Sequence, residues 1–141
     1  VVPHAVVNFT DDVLIFAGCL TGRKDWRLIA DTHCPVPRLA AALAHAELEV
    51  EGVTEDATRP RFTCAVTRMT AHAPFGGLNR AKAAVLEACI LVSRLHLLPR
   101  EKIEQEIAYL RIAVDKTGGP DEALAWSWLM DKIAVHYADR A

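Results

Sequence analysis

The sequence predicts an α+β chain in which strands come first and helices last. Two observations carry this. Up to Pro74 the apolar residues alternate with polar ones or form short runs broken by Pro and Gly, as in strands and loops. Beyond Pro74 they recur every three or four residues to the end, as in helices that pack on one another. The expected division is a strand-rich domain over 1–74 and a C-terminal three-helix domain over 75–141.

The elements follow in order. Ala5-Val6-Val7-Asn8-Phe9 reads as a short buried strand. Thr10 is placed to cap a helix, with Asp11 and Asp12 in a first turn where the helix dipole favours carboxylates. Val13, Leu14, Phe16 and Ala17 carry that helix to about Leu20, and Gly22 ends it. Residues 21–37, with Gly22, Pro35 and Pro37, read as a loop. Between His45 and Val53, apolar and acidic residues alternate, the pattern of a strand with one wet face. On this reading Glu47, Glu49 and Glu51 form a solvated acidic strip. After the polar turn at 54–60, Arg61 to His72 is a second strand, and the two make an antiparallel hairpin.

Pro74-Phe75-Gly76-Gly77 is a hinge. A helix then runs from Leu78 to about Leu97. The next starts at Pro99, with Glu101 in its first turn, and turns Ile103, Ile107, Leu110, Ile112 and Val114 inward. It ends at Lys116-Thr117-Gly118-Gly119, where Lys meets the negative end of the dipole and Gly supplies a left-handed cap. The same four residues have the composition of a phosphate loop, but the cap explains them without one. Pro120 and Asp121 open a third helix with Leu124, Trp128, Leu129, Ile133 and Tyr137 at helical spacing. Short connections between three such helices give a compact bundle.

The first of these helices carries a line of fixed charge. Arg80, Glu87 and Arg94 are seven apart. At about 100° per residue, seven steps return to within roughly 20° of the start, so the three share one face with Ala83, Leu86, Ile90 and Leu97. Two guanidiniums flanking a carboxylate inside an apolar stripe suggest a buried or interfacial ionic ladder. Ordinary surface charge is the competing reading.

Composition narrows the function classes. Apolar residues are 52% and charged residues 24%, as in a globular protein. A net charge of −2 argues against a nucleic-acid partner. No apolar run approaches the ~18 residues of a membrane span, and Val1-Val2-Pro3 does not resemble a secretory leader. Cys19, Cys34, Cys64 and Cys89 form no CxxC pair, so reduced thiols and a cytoplasmic location are expected, with Cys64 and Cys89 in apolar surroundings. The six histidines make no HExxH or comparable ligand spacing, so no metal is expected. Gly76-Gly77 ahead of a helix start, with Arg80 and Lys82 close by, has the makings of an anion site, although a plain hinge accounts for the glycines. Trp126 and Trp128 must face different sides of their helix. One is then core, and the other is surface or an interface anchor. Trp26 lies in the loop and could cover a ligand.

Two segments together resemble one family. Val6-Val7-Asn8-Phe9-Thr10-Asp11-Asp12-Val13-Leu14-Ile15-Phe16-Ala17 is similar to the late barrel segment of a family of uncharacterised FMN-binding split-barrel proteins. Asn79-Arg80-Ala81-Lys82, then Val85-Leu86-Glu87, Arg94-Leu95-His96 and Lys116-Thr117-Gly118-Gly119, resemble the helical tail of the same family. The resemblance implies part of a flavin-reductase-like split β-barrel followed by the helices, with the early barrel strands absent from this chain. It also implies FMN as cofactor, a homodimer, and flavin-dependent oxidation or reduction linked to pterin-type cofactor metabolism. On it, Asn8 and Thr10 line the flavin edge, while Asn79, Arg80 and Lys82 hold phosphate. No catalytic acid or base is assigned. A non-catalytic dimerisation or interaction module is the alternative.

Overall fold

The computed structural model describes residues 3–30 and 32–139, so the first two residues, read above for a leader, lie outside it. Among the described residues the order is β1 (His4–Phe9), α1 (Val13–Leu20), β2 (Leu28–Ile29), β3 (Arg38–Leu39), β4 (Ala44–Thr54), β5 (Arg61–Ala71), α2 (Arg80–Ser93), α3 (Arg100–Thr117) and α4 (Pro120–Ala138). They form two units, Val1–Asp11 with Trp26–Gly76, and Asp12–Asp25 with Gly77–Ala141.

The strand unit is a three-stranded antiparallel sheet with β4 between β1 and β5. The expected hairpin is β4–β5. Its loop is held by Asp56, whose Oδ1 accepts from the Thr58 and Arg59 N–H groups at 2.9 and 2.7 Å. These bonds favour the charged carboxylate and lower its pKa. Register shifts interrupt the hairpin at Glu47/Leu48 and Val50/Gly52. The segment expected as loop contains a short antiparallel ribbon, β2 with β3. At two residues each, its strands are too short to show a period. The ribbon is tied to β1 by the Leu39 N–H, which donates to Asn8 Oδ1 at 2.9 Å.

The helical unit holds four helices where the sequence suggested three. α2 packs against α1, α3 and α4. Small residues on its inner face (Ala81, Ala84 and Ala88 beside Val85) allow close approach, and Ile103 of α3 and Leu129 of α4 are fully buried with them. α1 contributes Val13 and Ala17 to this core. Its cap is Asp12, whose Oδ1 accepts from the Leu14 N–H at 3.0 Å, and not Thr10. Thr10 instead donates to the Ala41 carbonyl at 3.2 Å in the strand unit. Gly22 does end α1 with φ +90°, and the Arg23 N–H donates back to the Gly18 carbonyl at 2.8 Å, a Schellman closure.

Gly118 corrects the reading of the α3 end. Its φ is −76°, so no left-handed residue is needed there. A Cβ at this position would lie 2.6 Å from the Val114 carbonyl oxygen, so closeness of backbone is what calls for glycine. Gly77, with φ +101°, is the hinge glycine whose conformation other residues adopt only with strain. On α3, Ile103 and Val114 are buried as expected but Ile112 is 44% exposed. Two residues past Leu110 means roughly 200° around the axis, which turns Ile112 off the inward stripe.

Candidate functional site

One end of the sheet carries a cavity of about 300 Å³. Its position follows from register. Phe9, Ala44 and Ala71 lie side by side on β1, β4 and β5, so they share a face. Ala44, Ala71 and Ala73 make a floor of short side chains, Phe9 and Phe75 stand at its sides 46% and 58% exposed, and Thr10 and Asp11 supply the polar edge. A flat apolar floor with exposed aromatic walls suits a planar ring system. No basic side chain is among the described lining residues, so the cavity does not suit a phosphate.

The other face of the same sheet end is polar. Asn8, His45 and Thr70 form the next row, which alternation turns away from Phe9 and the alanines. His45 is 2% exposed and Glu47 is 4% exposed. Glu47 Oε1 lies 3.2 Å from His45 Nε2 and 3.2 Å from Arg68 Nε. His45 Nδ1 is 2.8 Å from His72 Nε2, and the two rings stack with centroids 5.0 Å apart. A carboxylate only accepts, so His45 Nε2 carries the hydrogen facing Glu47, and His45 Nδ1 accepts from His72 Nε2–H. Arg68 Nη1 lies 3.0 Å from His33 Nδ1. A chain of polar groups thus runs from exposed His72 to a buried carboxylate. Glu47 was expected on a wet strand face, and the buried row corrects that. The alternation was right, but the face it assigned to Glu47 is covered.

His72 titrates low. Desolvation is the first cause, and the charges of Arg38, His45 and Arg68 add to it. A histidine harder to protonate in the folded state makes folding bind fewer protons than unfolding does. The folded state therefore loses stability as pH falls through the ordinary histidine value of about 6.5 and below. We expect the thermal midpoint to fall between pH 7.5 and pH 5. The fall is expected to be smaller in His72→Gln, which keeps a donor for His45; equal slopes would remove His72 as the cause.

The residues proposed from sequence divide between the units. Asn8 and Thr10 belong to the strand unit, and Asn79, Arg80 and Lys82 to the helical one. Asn8 holds β3 through its carbonyl oxygen, while Thr10 borders the cavity. Asn79 caps α2, accepting from the Ala81 and Lys82 N–H groups at 2.8 and 3.2 Å, and its amide donates to the Thr117 carbonyl at 3.3 Å. The cap already satisfies the donors that would meet an anion at those two positions. Arg80, Glu87 and Arg94 are all exposed. Missed in the sequence were the cavity floor and the His45–His72 contact. His45 and Glu47, two apart on one strand, were the only local signal of the polar row.

Among the described residues no group of three or more His, Cys, Asp or Glu could hold a metal, and no helix is long and apolar enough to cross a membrane. No curated protein matches the chain. Two family models do. The N-terminal domain of "Protein of unknown function (DUF447)" matches residues 2–73, and "Protein of unknown function (DUF447)" matches residues 79–131. The chain belongs to the DUF447 family. Among solved structures it is similar to FMN-bound protein MM1853 from Methanosarcina mazei, also of DUF447. Identity is 19%, the match covers 93% of this chain and 72% of that one, and the TM-score is 0.77, which establishes a common DUF447 fold.

Proposed function

We propose that this chain binds FMN and takes part in flavin-dependent oxidation or reduction. The cavity in the strand unit is the observation that supports this reading most. Its alanine floor and the exposed rings of Phe9 and Phe75 fit a flat heterocycle, and Thr10 adds a hydroxyl at the edge. That a DUF447 relative is FMN-bound supports the choice of ligand. The three-stranded antiparallel sheet suits part of a split barrel. In this reading the flavin supplies the redox chemistry, and the protein binds and orients it. Arg80 and Lys82, at the first turn of α2, are the candidate phosphate partners, and Asn79 positions them.

The test is a flavin fluorescence titration of the whole chain. Ala71→Leu fills the floor from an exposed position, so folding should persist while affinity falls at least about ten-fold, roughly 1.4 kcal/mol. Arg80→Ala should cost about 1.5–3 kcal/mol of binding if it contacts the phosphate. No binding by the unaltered chain would sink the proposal, and so would binding indifferent to Ala71→Leu. A non-catalytic interaction module is the second reading, favoured by the exposed apolar residues of α2. It predicts self-association without flavin.

A further inference from the structure

We propose that the polar face of the sheet end binds a small dianion of phosphate type, held by the Arg38 guanidinium and by His72 in its protonated form. The site lies on the face opposite the cavity, so it stands or falls separately from FMN binding. Three segments build it. The bond from the Leu39 N–H to Asn8 Oδ1 sets β3 beside the row of Asn8, His45 and Thr70, and brings Arg38 with it. β5 supplies Arg68, and His72 follows directly after its last residue. The loop between β2 and β3 supplies His33, whose Nδ1 is 3.0 Å from Arg68 Nη1. His33 and His72 are exposed while Arg38 and Arg68 are half-buried, so the cluster is open to a solute.

Charge selects the ligand. Glu47 lies 3.2 Å from Arg68 and offsets that guanidinium. Arg38 makes no ion pair among the described residues. Its Nη1 donates to the Leu39 carbonyl at 3.1 Å, which leaves further N–H donors of the same fork for an anion. Besides desolvation, the charges of Arg38, His45 and Arg68 hold the His72 pKa down, and an anion between Arg38 and His72 would reverse that. These three are the charged and titratable groups facing His72 from β3, β4 and β5, with Glu47 behind His45 and His33 beyond Arg68. The hydrogen bonds fix which atom meets the ligand. His72 Nε2–H is committed to His45 Nδ1, because His45 Nε2 faces a carboxylate that only accepts. His72 is left with Nδ1, an acceptor in the neutral ring and a donor only once the ring takes a proton. A fully ionised anion therefore enters together with one proton. Arg38 and His72 then carry two positive charges, which a dianion neutralises and a monocarboxylate does not.

Sulfate is the probe, since it stays a dianion across neutral pH. An NMR titration of the imidazole resonances of the whole chain follows it, against sodium chloride at equal ionic strength. The His72 resonance should titrate at higher pH in sulfate than in chloride. The dissociation constant should fall by up to about ten-fold from pH 8 to pH 7, because each ion brings one proton. His72→Gln keeps a donor for His45 and should remove this pH dependence. Arg38→Gln should weaken binding about ten-fold at every pH and keep the slope, while Arg38→Lys, which keeps the charge, should recover most of the affinity. Lys132→Gln, an exposed cation on α4, should change neither. Acetate should bind at least about ten-fold more weakly than sulfate. Circular dichroism checks that each variant is folded. Shifts no larger in sulfate than in chloride would overturn the proposal. So would binding that ignores both Arg38→Gln and His72→Gln, a constant unchanged between pH 8 and pH 7, or acetate that matches sulfate.

Discussion

Glu47→Ala should destabilise the protein by about 2–4 kcal/mol, read as a lower denaturation midpoint in urea. The carboxylate is the common partner of a fully buried imidazole and a guanidinium. Without it, the His45 N–H facing Glu47 is buried with no acceptor, a cost of about 1–3 kcal/mol by itself. Arg68 loses the Glu47 carboxylate as well, but its side chain is 35% exposed and can turn toward water, which keeps the total below that of a sealed pair. Glu47→Gln is the informative control. It keeps an acceptor for His45 and removes only the charge, so its cost should be about 1 kcal/mol. Equal losses for the two variants would mean that packing volume, and not hydrogen bonding, holds the row together.

Trp126→Ala should cost about 3–5 kcal/mol, the range for deleting a buried aromatic. Trp126 is 5% exposed in the helical core. Its indole nitrogen is buried without a hydrogen-bond partner among the described residues. That unmet donor already weighs against the native residue, so Trp126→Phe should lose far less, within about 1 kcal/mol of the native chain, because the lost contact area is offset by removing the donor. Thermal unfolding of the two variants side by side checks the difference. A Phe variant as poor as the Ala variant would show that the indole nitrogen has a partner in solution, such as water.

The long elements were legible because their periods repeat. The β4–β5 hairpin and α2, α3 and α4 span enough residues to show a period of 2.0 or 3.6. What escaped was anything set by contact between distant segments. α1 was found as a helix, but nothing within residues 13–20 says which unit it joins. Alternation along β4 showed that Glu47 and Glu49 share a face, yet only the neighbours across the sheet decide that Glu47 is buried while Glu49 is exposed. Gly118 looked like a left-handed cap, and the Val114 carbonyl that requires it is invisible until α3 has formed. The cavity floor is three alanines scattered over positions 44–73, each ordinary by itself. The shared face of Arg80, Glu87 and Arg94 was an expectation from helix geometry alone; α2 ends at Ser93, with Arg94 as its C-cap, and all three side chains are exposed.

The helical unit draws residues 12–25 from one side of the strand unit's sequence and residues from 77 onward from the other. No single cut therefore separates the two. A piece beginning at Gly77 would lack Val13 and Ala17, and would bare the alanines of α2 that they cover. During synthesis the same arrangement sets an order. α1 leaves the ribosome well before any of its partners exists, and must wait for the whole of the β4–β5 hairpin to be made before α2 arrives. The strand unit can pair its three strands in the meantime, so it is expected to mature first, with α1 as an unsatisfied apolar helix until the C-terminal half emerges.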